Sequence, residues 1–296
     1  MRLVSYGELY LDYYFIEDEI YIAGGKTNAN ILCNLSKYYK TKMIGVIGDD
    51  QQGRCCVEDL EYLGIDTSNI KCIEGQTRVF FSKEDTFTKR CPICKEKKDA
   101  LKNVLTAEEL IKQINKDDNL ILDTLGNIEA DILNKTNNHC FIDIGYPTEY
   151  MSIEYLRQFE DRFDIINMNE RVCKHLEEIG ISKKDLYNIL TPNLLIITKG
   201  EKGAEFYFKD NSISISPKEI IKSNYTEGAG DMFFSIFIKN YIENDYNVDI
   251  NYIKKSFYES SEEIKKVMSH YGARHHLEPL HKIKEYKKCI CKDIIY

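Results

Sequence analysis

The segment TEGAGDMFFSIF, residues 226–237, joins three positions almost without side chains, Gly228, Ala229 and Gly230, to a carboxylate, Asp231, and then to an apolar run of helical character. A glycine-rich turn that opens a helix exposes backbone N–H groups with no intrahelical acceptor, and the helix dipole adds partial positive charge at the same point. That combination binds anions, and phosphate suits it best. A carboxylate in the first helical turn stands where an acceptor hydroxyl would meet a transferring phosphoryl group. It could orient that hydroxyl and take its proton. Taken alone, the same residues also make an ordinary glycine turn with an aspartate cap, so the elements around them must decide.

Those elements alternate. RLVSYG, KMIGVIG, NLILDT, HCFIDIG, FDIINMN and NLLIITKG read as strands, with helical spacing between them in NILCNLSKYY and QQGRCCVEDLEYLG. GAEFYFKDNSISIS reads as a hairpin turning at Asp210 and Asn211, and two longer helices are expected near 229–243 and 249–269. YLDYYFIEDEIYIAGG reads as extended chain turning near Glu17 to Glu19, and IKCIEG and TRVFFSKED as further strands. Regular β-α alternation implies an α/β fold with a mostly parallel sheet flanked by helices on both faces. Ligands of such sheets bind beyond the carboxyl ends of the strands.

Composition narrows the function. The chain has 296 residues, 43% hydrophobic and 30% charged, enough for a sizeable core under a solvated surface. A net charge of -8 argues against general nucleic-acid binding, which needs a cationic footprint. The basic stretch HKIKEYKKCICK reads as a solvated face. No apolar run approaches the ~18 residues of a membrane span, and the alternating, acidic N-terminus does not read as a signal peptide. Ten scattered cysteines fit a reducing compartment, so a soluble cytoplasmic protein is expected.

With these elements in this order, the chain resembles the ribokinase-like (pfkB) carbohydrate kinase family. YTEGAGD is similar to the family's closing signature D-T-x-G-A-G-D from Thr226 onward, with Tyr225 in place of its first Asp. The resemblance implies a three-layer ribokinase-like fold, one kinase domain over 1–296, and a small β lid with strands within about 10–23 and 71–104. It implies that Asp231 is the catalytic base and that the backbone of Gly228, Ala229 and Gly230 is the anion hole. Part of the family holds a monovalent cation near the position of Tyr225, so potassium activation is open. NMNE matches the family's N-x-x-E, which implies that Asn167 and Glu170 organise magnesium and its waters around ATP, Glu170 acting indirectly. ITKGEKG implies that Thr198, Gly200 and Gly203 lie beside the nucleotide phosphates, and SHYGARHH falls where relatives build the adenine pocket.

On the acceptor side the resemblance assigns sugar hydroxyls to Asp12 in GELYLDYY, and to Gly24, Gly25, Lys26 and Asn30 in AGGKTNANILCNLSKYY. Asn30 requires a loop one residue longer than usual; Asn28 is the alternative. IGVIGDDQQG matches a G-x-x-G-x-D-x-x-G run at Gly48, Asp50 and Gly53. Tyr13, Phe15, Phe80 and Phe81 fit either lid and dimer packing or the core, and Arg78 either a substrate anion or solvent. The implied activity is ATP- and magnesium-dependent phosphorylation of a hydroxyl on a small sugar or sugar derivative, by a homodimer joined through the lid. A catalytically silent sugar-binding sensor and a nucleoside kinase are the alternatives. One insertion stands apart. KRCPICKEKK carries Cys91 and Cys94 at the spacing of half a zinc knuckle, with Cys289 and Cys291 as the remaining close pair; incidental thiols in a loop are the competing reading.

Overall fold

Strands such as β4 (Thr41–Gly48) and β8 (Cys140–Ile144) are buried at every position, because helices cover both faces of the sheet they join. The computed structural model describes residues 1–16, 19–83, 104–145, 151–277 and 281–283. Within them the chain order is β1 (Arg2–Glu8), β2 (Tyr10–Ile16), β3 (Glu19–Gly24), α1 (Thr27–Leu35), β4, α2 (Gln51–Tyr62), β5 (Asp66–Ile73), β6 (Arg78–Lys83), α3 (Ala107–Ile111), β7 (Asp118–Leu122), α4 (Asn127–Lys135) and β8. It continues with α5 (Ile153–Leu156), β9 (Ile165–Asn169), α6 (Glu170–Glu178), α7 (Lys183–Leu190), β10 (Leu194–Thr198), β11 (Ala204–Phe208), β12 (Asn211–Ile215), α8 (Ala229–Glu243), α9 (Ile250–Val267) and β13 (His281–Ile283).

The large sheet runs β12-β11-β10-β9-β8-β7-β1-β4-β5, parallel except for the antiparallel β10-β11-β12 edge. Alternate residues of its strands feed two cores. Leu194 and Ile196 of β10 pack with Phe234, Phe237 and Phe257 of α8 and α9, whereas Leu195 and Ile197 pack with Leu176, Leu186 and Leu190 of α6 and α7. The architecture is therefore α/β in three layers. A second, four-stranded sheet, β13-β3-β2-β6, grows from the carboxyl end of β1. No helix among the described residues is long and apolar enough to cross a membrane.

One expectation is corrected here. The hairpin turns at Lys209 and Asp210, both at positive φ (44° and 60°), while Asn211 already pairs with Phe208. Two residues in the left-handed region give the twist that a two-residue hairpin loop needs, which moves the turn one position earlier. The strand in IKCIEG belongs to β5, which pairs with β4 at the edge of the large sheet, so among the described residues of 71–104 it is β6 that joins the small sheet. The apolar pattern of an edge strand does not reveal which sheet it joins.

The run Gly48, Asp50, Gly53 fastens the two sheets together. Asp50 caps α2 by accepting from Gly53 N at 2.8 Å, and also accepts from Thr77 N (2.8 Å) and Thr77 Oγ1 (2.7 Å) just before β6. A Cβ on Gly48 would lie 2.3 Å from the Gly75 carbonyl oxygen, so the chain entering β6 passes too close for any side chain there.

Candidate active site

The carboxyl ends of β1, β4, β7, β8, β9 and β10 all point the same way, and the small sheet rises beside them. Into this cleft the β3-to-α1 connection brings Gly24, Gly25 and Lys26. Lys26 holds φ at 82°, a conformation rare for a side-chain-bearing residue and found where surrounding contacts impose it. Its Nζ lies 3.0 Å from Asp123 Oδ2, just past the end of β7, and 5.6 Å from the Tyr10 ring centroid. Burial works against the ammonium, but Asp123, Tyr10 and Glu8 outweigh it and raise the Lys26 pKa. The glycine pair has a steric reason. A Cβ on Gly25 would fall 2.5 Å from Asp12 Oδ2, and one on Gly24 would fall 2.2 Å from Arg274 Nη1.

Helices α1 and α8 run side by side in the same direction, so residues four apart on one match residues four apart on the other. Asn34 Nδ2 faces Ser235 Oγ at 3.4 Å, and one turn earlier Asn30 Nδ2 donates to Asp231 Oδ2 at 2.7 Å. Asn28 instead donates to the Tyr6 carbonyl at 2.9 Å, on another face of α1. Gly228, at φ 81°, is the residue before α8, and a Cβ there would meet Ala273 Cα at 2.6 Å. Ala229 N–H already donates to the Thr226 carbonyl at 3.2 Å, which leaves Gly230 and Asp231 N–H, by helix geometry, without an intrahelical acceptor. A Cβ on Gly230 would meet nothing within 4 Å, so space lies open in front of these donors.

Four carboxylates share the cleft. Burial pushes Asp231 up to about 6, against the Asn30 hydrogen bond and the Arg274 charge, with Asp123 adding to the rise. Burial likewise pushes Asp12 up to about 6, against Arg274 and the Tyr14 hydroxyl, with Asp231 and Glu227 adding to it. Asp143, near the end of β8, is raised well above the usual range by burial and by Asp231. Asp123 is held by Lys26. A raised carboxylate facing open space beside anion-binding N–H groups is suited to proton acceptance near neutral pH.

The residues expected on the nucleotide side form a neighbouring group along adjacent strand ends. Asn167 and Asn169 lie on β9; Asn169, capping α6, accepts from Val172 N at 3.0 Å, and Thr198 of β10 pairs with it in register. Thr198 Oγ1 donates to the Met168 carbonyl at 3.3 Å. Glu170 opens α6, partly exposed, with Lys174 Nζ 3.4 Å away. Gly200 sits at φ 58° and Gly203 at 95°, and a Cβ on Gly203 would overlap the Ile215 carbonyl oxygen. Asn167 also bonds Asp143, which feels Asp231, so Asp143 links the two groups. Asn167 Oδ1 is buried with no hydrogen-bond partner in the protein. An open oxygen acceptor near a partly exposed carboxylate fits a hard cation that keeps its waters, as magnesium does.

Sequence reasoning missed Arg274, Asp123 and Asp143. The two acids carried a signal, since each is a lone carboxylate within or just after an apolar strand. Arg274 did not, because its segment was expected at the adenine pocket. Instead Gly272 packs on Tyr14, Ala273 on Gly228, and Arg274 donates to Asn30 Oδ1 (2.8 Å) and to the Gly25 carbonyl (2.7 Å). This part of the segment therefore packs with the residues expected to hold the acceptor. Arg78 is neither solvated nor open to a ligand anion. It is 7% exposed, with Nη2 2.8 Å from Glu8 Oε2 and Nη1 donating to Tyr10 Oη at 2.8 Å. Register explains it, since β6 pairs Arg78 with Tyr10 directly above the end of β1. Tyr13 is buried, Phe15 packs against the core and Phe80 lies 4.9 Å from the Tyr10 ring, while of Phe81 only its place in β6 is described. Tyr225 stacks edge-on against Tyr271 at 4.3 Å, so an aromatic pair stands where a carboxylate was in question. Cys91, Cys94, Cys289 and Cys291 lie outside the described residues.

Known proteins share this chain's family profile and fold. The profile of the pfkB family carbohydrate kinases matches residues 3–250. A probable fructokinase-5 of Arabidopsis thaliana is 24% identical over 278 residues, covering 80% of this chain and 81% of that protein. The aminoimidazole riboside kinase of Salmonella enterica, solved with aminoimidazole riboside and an ATP analogue, superposes with a TM-score of 0.71 at 14% identity, over 94% of this chain and 97% of that one. A fructokinase of Vibrio cholerae, solved with fructose, ADP and calcium, gives 0.69 at 14% identity, over 92% and 94%.

Proposed function

The chain belongs to the pfkB family of carbohydrate kinases, and from that premise we propose that this ATP-dependent sugar kinase transfers phosphate to a hydroxyl of a small sugar or sugar derivative through Asp231. One observation carries the reading. Asp231 sits between the exposed N–H groups that open α8 and the acceptor loop, tied to that loop by Asn30 at 2.7 Å. The acceptor would lie against Asp12, Lys26, Asn30 and the backbone of Gly24 and Gly25. Asp12 can accept from two neighbouring hydroxyls, and the absence of side chains at the two glycines lets a ring approach the backbone.

Asp231 Oδ2 is engaged by Asn30, so Oδ1 is the oxygen that receives the attacking hydroxyl. The transition state of phosphoryl transfer is loose, so the carboxylate first orients the nucleophile and takes its proton late. Gly230 and Asp231 N–H stabilise the charge of the transferring group, with Gly228 shaping the turn and Ala229 holding it closed on Thr226. Thr198, Gly200 and Gly203 shape the phosphate side of the nucleotide site, and Asn167 and Glu170 would hold magnesium, Glu170 through water. Bound there, magnesium supplies charge neutralisation on the ATP phosphates. The reading extends to cytoplasmic action and to a second copy docked on the small sheet, where β6 is the outer strand among the described residues.

A silent sugar-binding protein would gain nothing from a carboxylate raised to about 6 at an anion-binding helix start. A nucleoside acceptor is the second reading, favoured by the likeness to a riboside kinase. The test is ADP release with Mg-ATP across ribose, fructose, fructosamines, keto-sugar acids and nucleosides. Turnover with a sugar supports the proposal, a nucleoside alone supports the second reading, and none across the panel removes both.

A further inference from the structure

Arg274 heads the fully buried side chains of the described residues by volume and is 1% exposed. A guanidinium carries five donors and no acceptor, so whatever it meets must present oxygen. Nε meets Asn30 Oδ1 at 2.8 Å and Nη2 meets the Gly25 carbonyl at 2.7 Å. The first contact decides the Asn30 amide. With its oxygen claimed by Arg274, its nitrogen must face Asp231, and it donates there at 2.7 Å. Without the guanidinium the amide could turn over and present oxygen to a carboxylate. The second contact fixes the acceptor loop immediately before Lys26, at the bend that starts α1. Gly24 makes room, since any Cβ there would collide with Nη1.

We propose that Arg274 is the positioning residue of this site: it fixes the Asn30 amide so that Asp231 is held by a donor, and it clamps the acceptor loop at Gly25 in the same grip. The segment that carries it is itself anchored on both sides of the cleft. Gly272, at φ 69°, packs so closely on Tyr14 of β2 that a Cβ would lie 2.4 Å from Cζ, and Ala273 closes on Gly228 at the start of α8. One short segment thus registers the small sheet, the anion-binding turn and the acceptor loop against each other.

Charge follows the same geometry. Arg274 is the cation acting on both Asp12 and Asp231, opposing burial at each. The acids facing Asp231 are Asp12 from β2, Asp123 from the end of β7 and Asp143 from β8; Lys26 is engaged with Asp123, and Glu227 acts on Asp12. Loss of Arg274 therefore leaves Asp231 among acids only, and its proton is held to higher pH.

That Asp231 acts as base rests on the phosphotransfer reading; the orientation of Asn30 does not, and the experiment separates them. Arg274→Gln and Arg274→Lys are made in the full chain and checked for fold by circular dichroism. Two quantities are followed against pH: kcat with Mg-ATP and the acceptor found in the panel, and the Asn30 side-chain amide resonance, assigned by its loss in Asn30→Asp. In Arg274→Gln the acid limb of kcat and the amide midpoint both move up by about one unit, and turnover at pH 6 falls roughly fivefold. In Arg274→Lys the charge remains but one ammonium cannot hold both oxygens in the same way, so the midpoint stays near wild type while KM for the acceptor rises several-fold and the amide resonance shifts. A folded Arg274→Gln with an unmoved amide midpoint overturns the proposal. If Arg274→Gln does not fold, an amide resonance in Arg274→Lys identical to wild type overturns it. A wild type without turnover on any acceptor removes the phosphotransfer reading alone, and the amide titration still decides the role of Arg274.

Discussion

The proposed acceptor side of the cleft and its proposed nucleotide side are built by different means. The acceptor side is assembled from far-apart residues with buried, mutually bonded side chains; Asn30 reaches Asp231 across 201 positions and Arg274 across 244. The nucleotide side is local. NMNE and TKGEKG each lie within a single connection, and they offer backbone at positive φ, at Gly200 and Gly203, and a partly exposed Glu170. Buried side-chain networks fix one geometry and hold charges away from water, whereas backbone cradles and exposed acids tolerate change. Substitutions on the acceptor side should therefore act on turnover and acceptor binding, and those on the nucleotide side should act more weakly, on metal and nucleotide affinity.

The largest break in that contrast comes from Asp231→Asn. Removing the carboxylate removes hydroxyl orientation and proton acceptance, and kcat should fall by roughly 10²–10⁴ with ATP affinity unchanged, read by ADP release and by nucleotide titration. Asp12→Asn comes next. It keeps the shape and loses a charged acceptor, so KM for the acceptor should rise by roughly tenfold to a hundredfold while KM for ATP stays within about twofold. On the other side, Glu170→Gln should raise the magnesium concentration needed for half-maximal rate by roughly tenfold and leave saturated turnover nearly unchanged. If Glu170→Gln proved as damaging to saturated turnover as Asp231→Asn, the division between the two sides would be wrong.

A smaller effect, on stability, sharpens the same contrast. A carboxyl whose folded pKa lies above its unfolded value binds its proton more tightly when folded, so it subtracts stability as pH rises from 3.8 to about 6. Asp231→Asn should therefore stabilise the fold above pH 6, by on the order of 1–3 kcal/mol, and the gain should vanish below pH 4. Thermal melts of both proteins at pH 4 and pH 7.5 measure it. Glu170→Gln should leave the melting temperature unchanged at both.

The same division explains what the sequence made legible. The strands of the large sheet announced themselves because burial on both faces leaves near-continuous apolar runs, and α8 fell at 229–243 because its turn is strung with small residues. The local motifs proposed for the nucleotide side could be located for the same reason, as each is complete within a few positions. Asn30 could be placed against Asn28 only through a resemblance, while in the fold they lie on different faces of α1 with different partners. Arg274 and Arg78 were not legible. Their roles follow from contacts across the fold, with Asn30 and with Glu8, and an arginine in a polar segment looks the same whether it faces solvent or the centre of the molecule. The place of β5 was hidden too, because pairing at a sheet edge is decided by topology and not by the strand's own residues.

The most direct measurement of the role given to Asp231 is a single-turnover rapid-quench experiment. Wild-type protein loaded with acceptor is mixed with Mg-ATP from pH 5 to pH 8, and the phosphorylated acceptor is counted before product release can interfere. With a half-buried carboxylate that must be ionised to receive the hydroxyl, the phosphotransfer rate rises about tenfold per pH unit below about 6 and levels off above it. A rate that stays flat down to pH 5 would contradict that role.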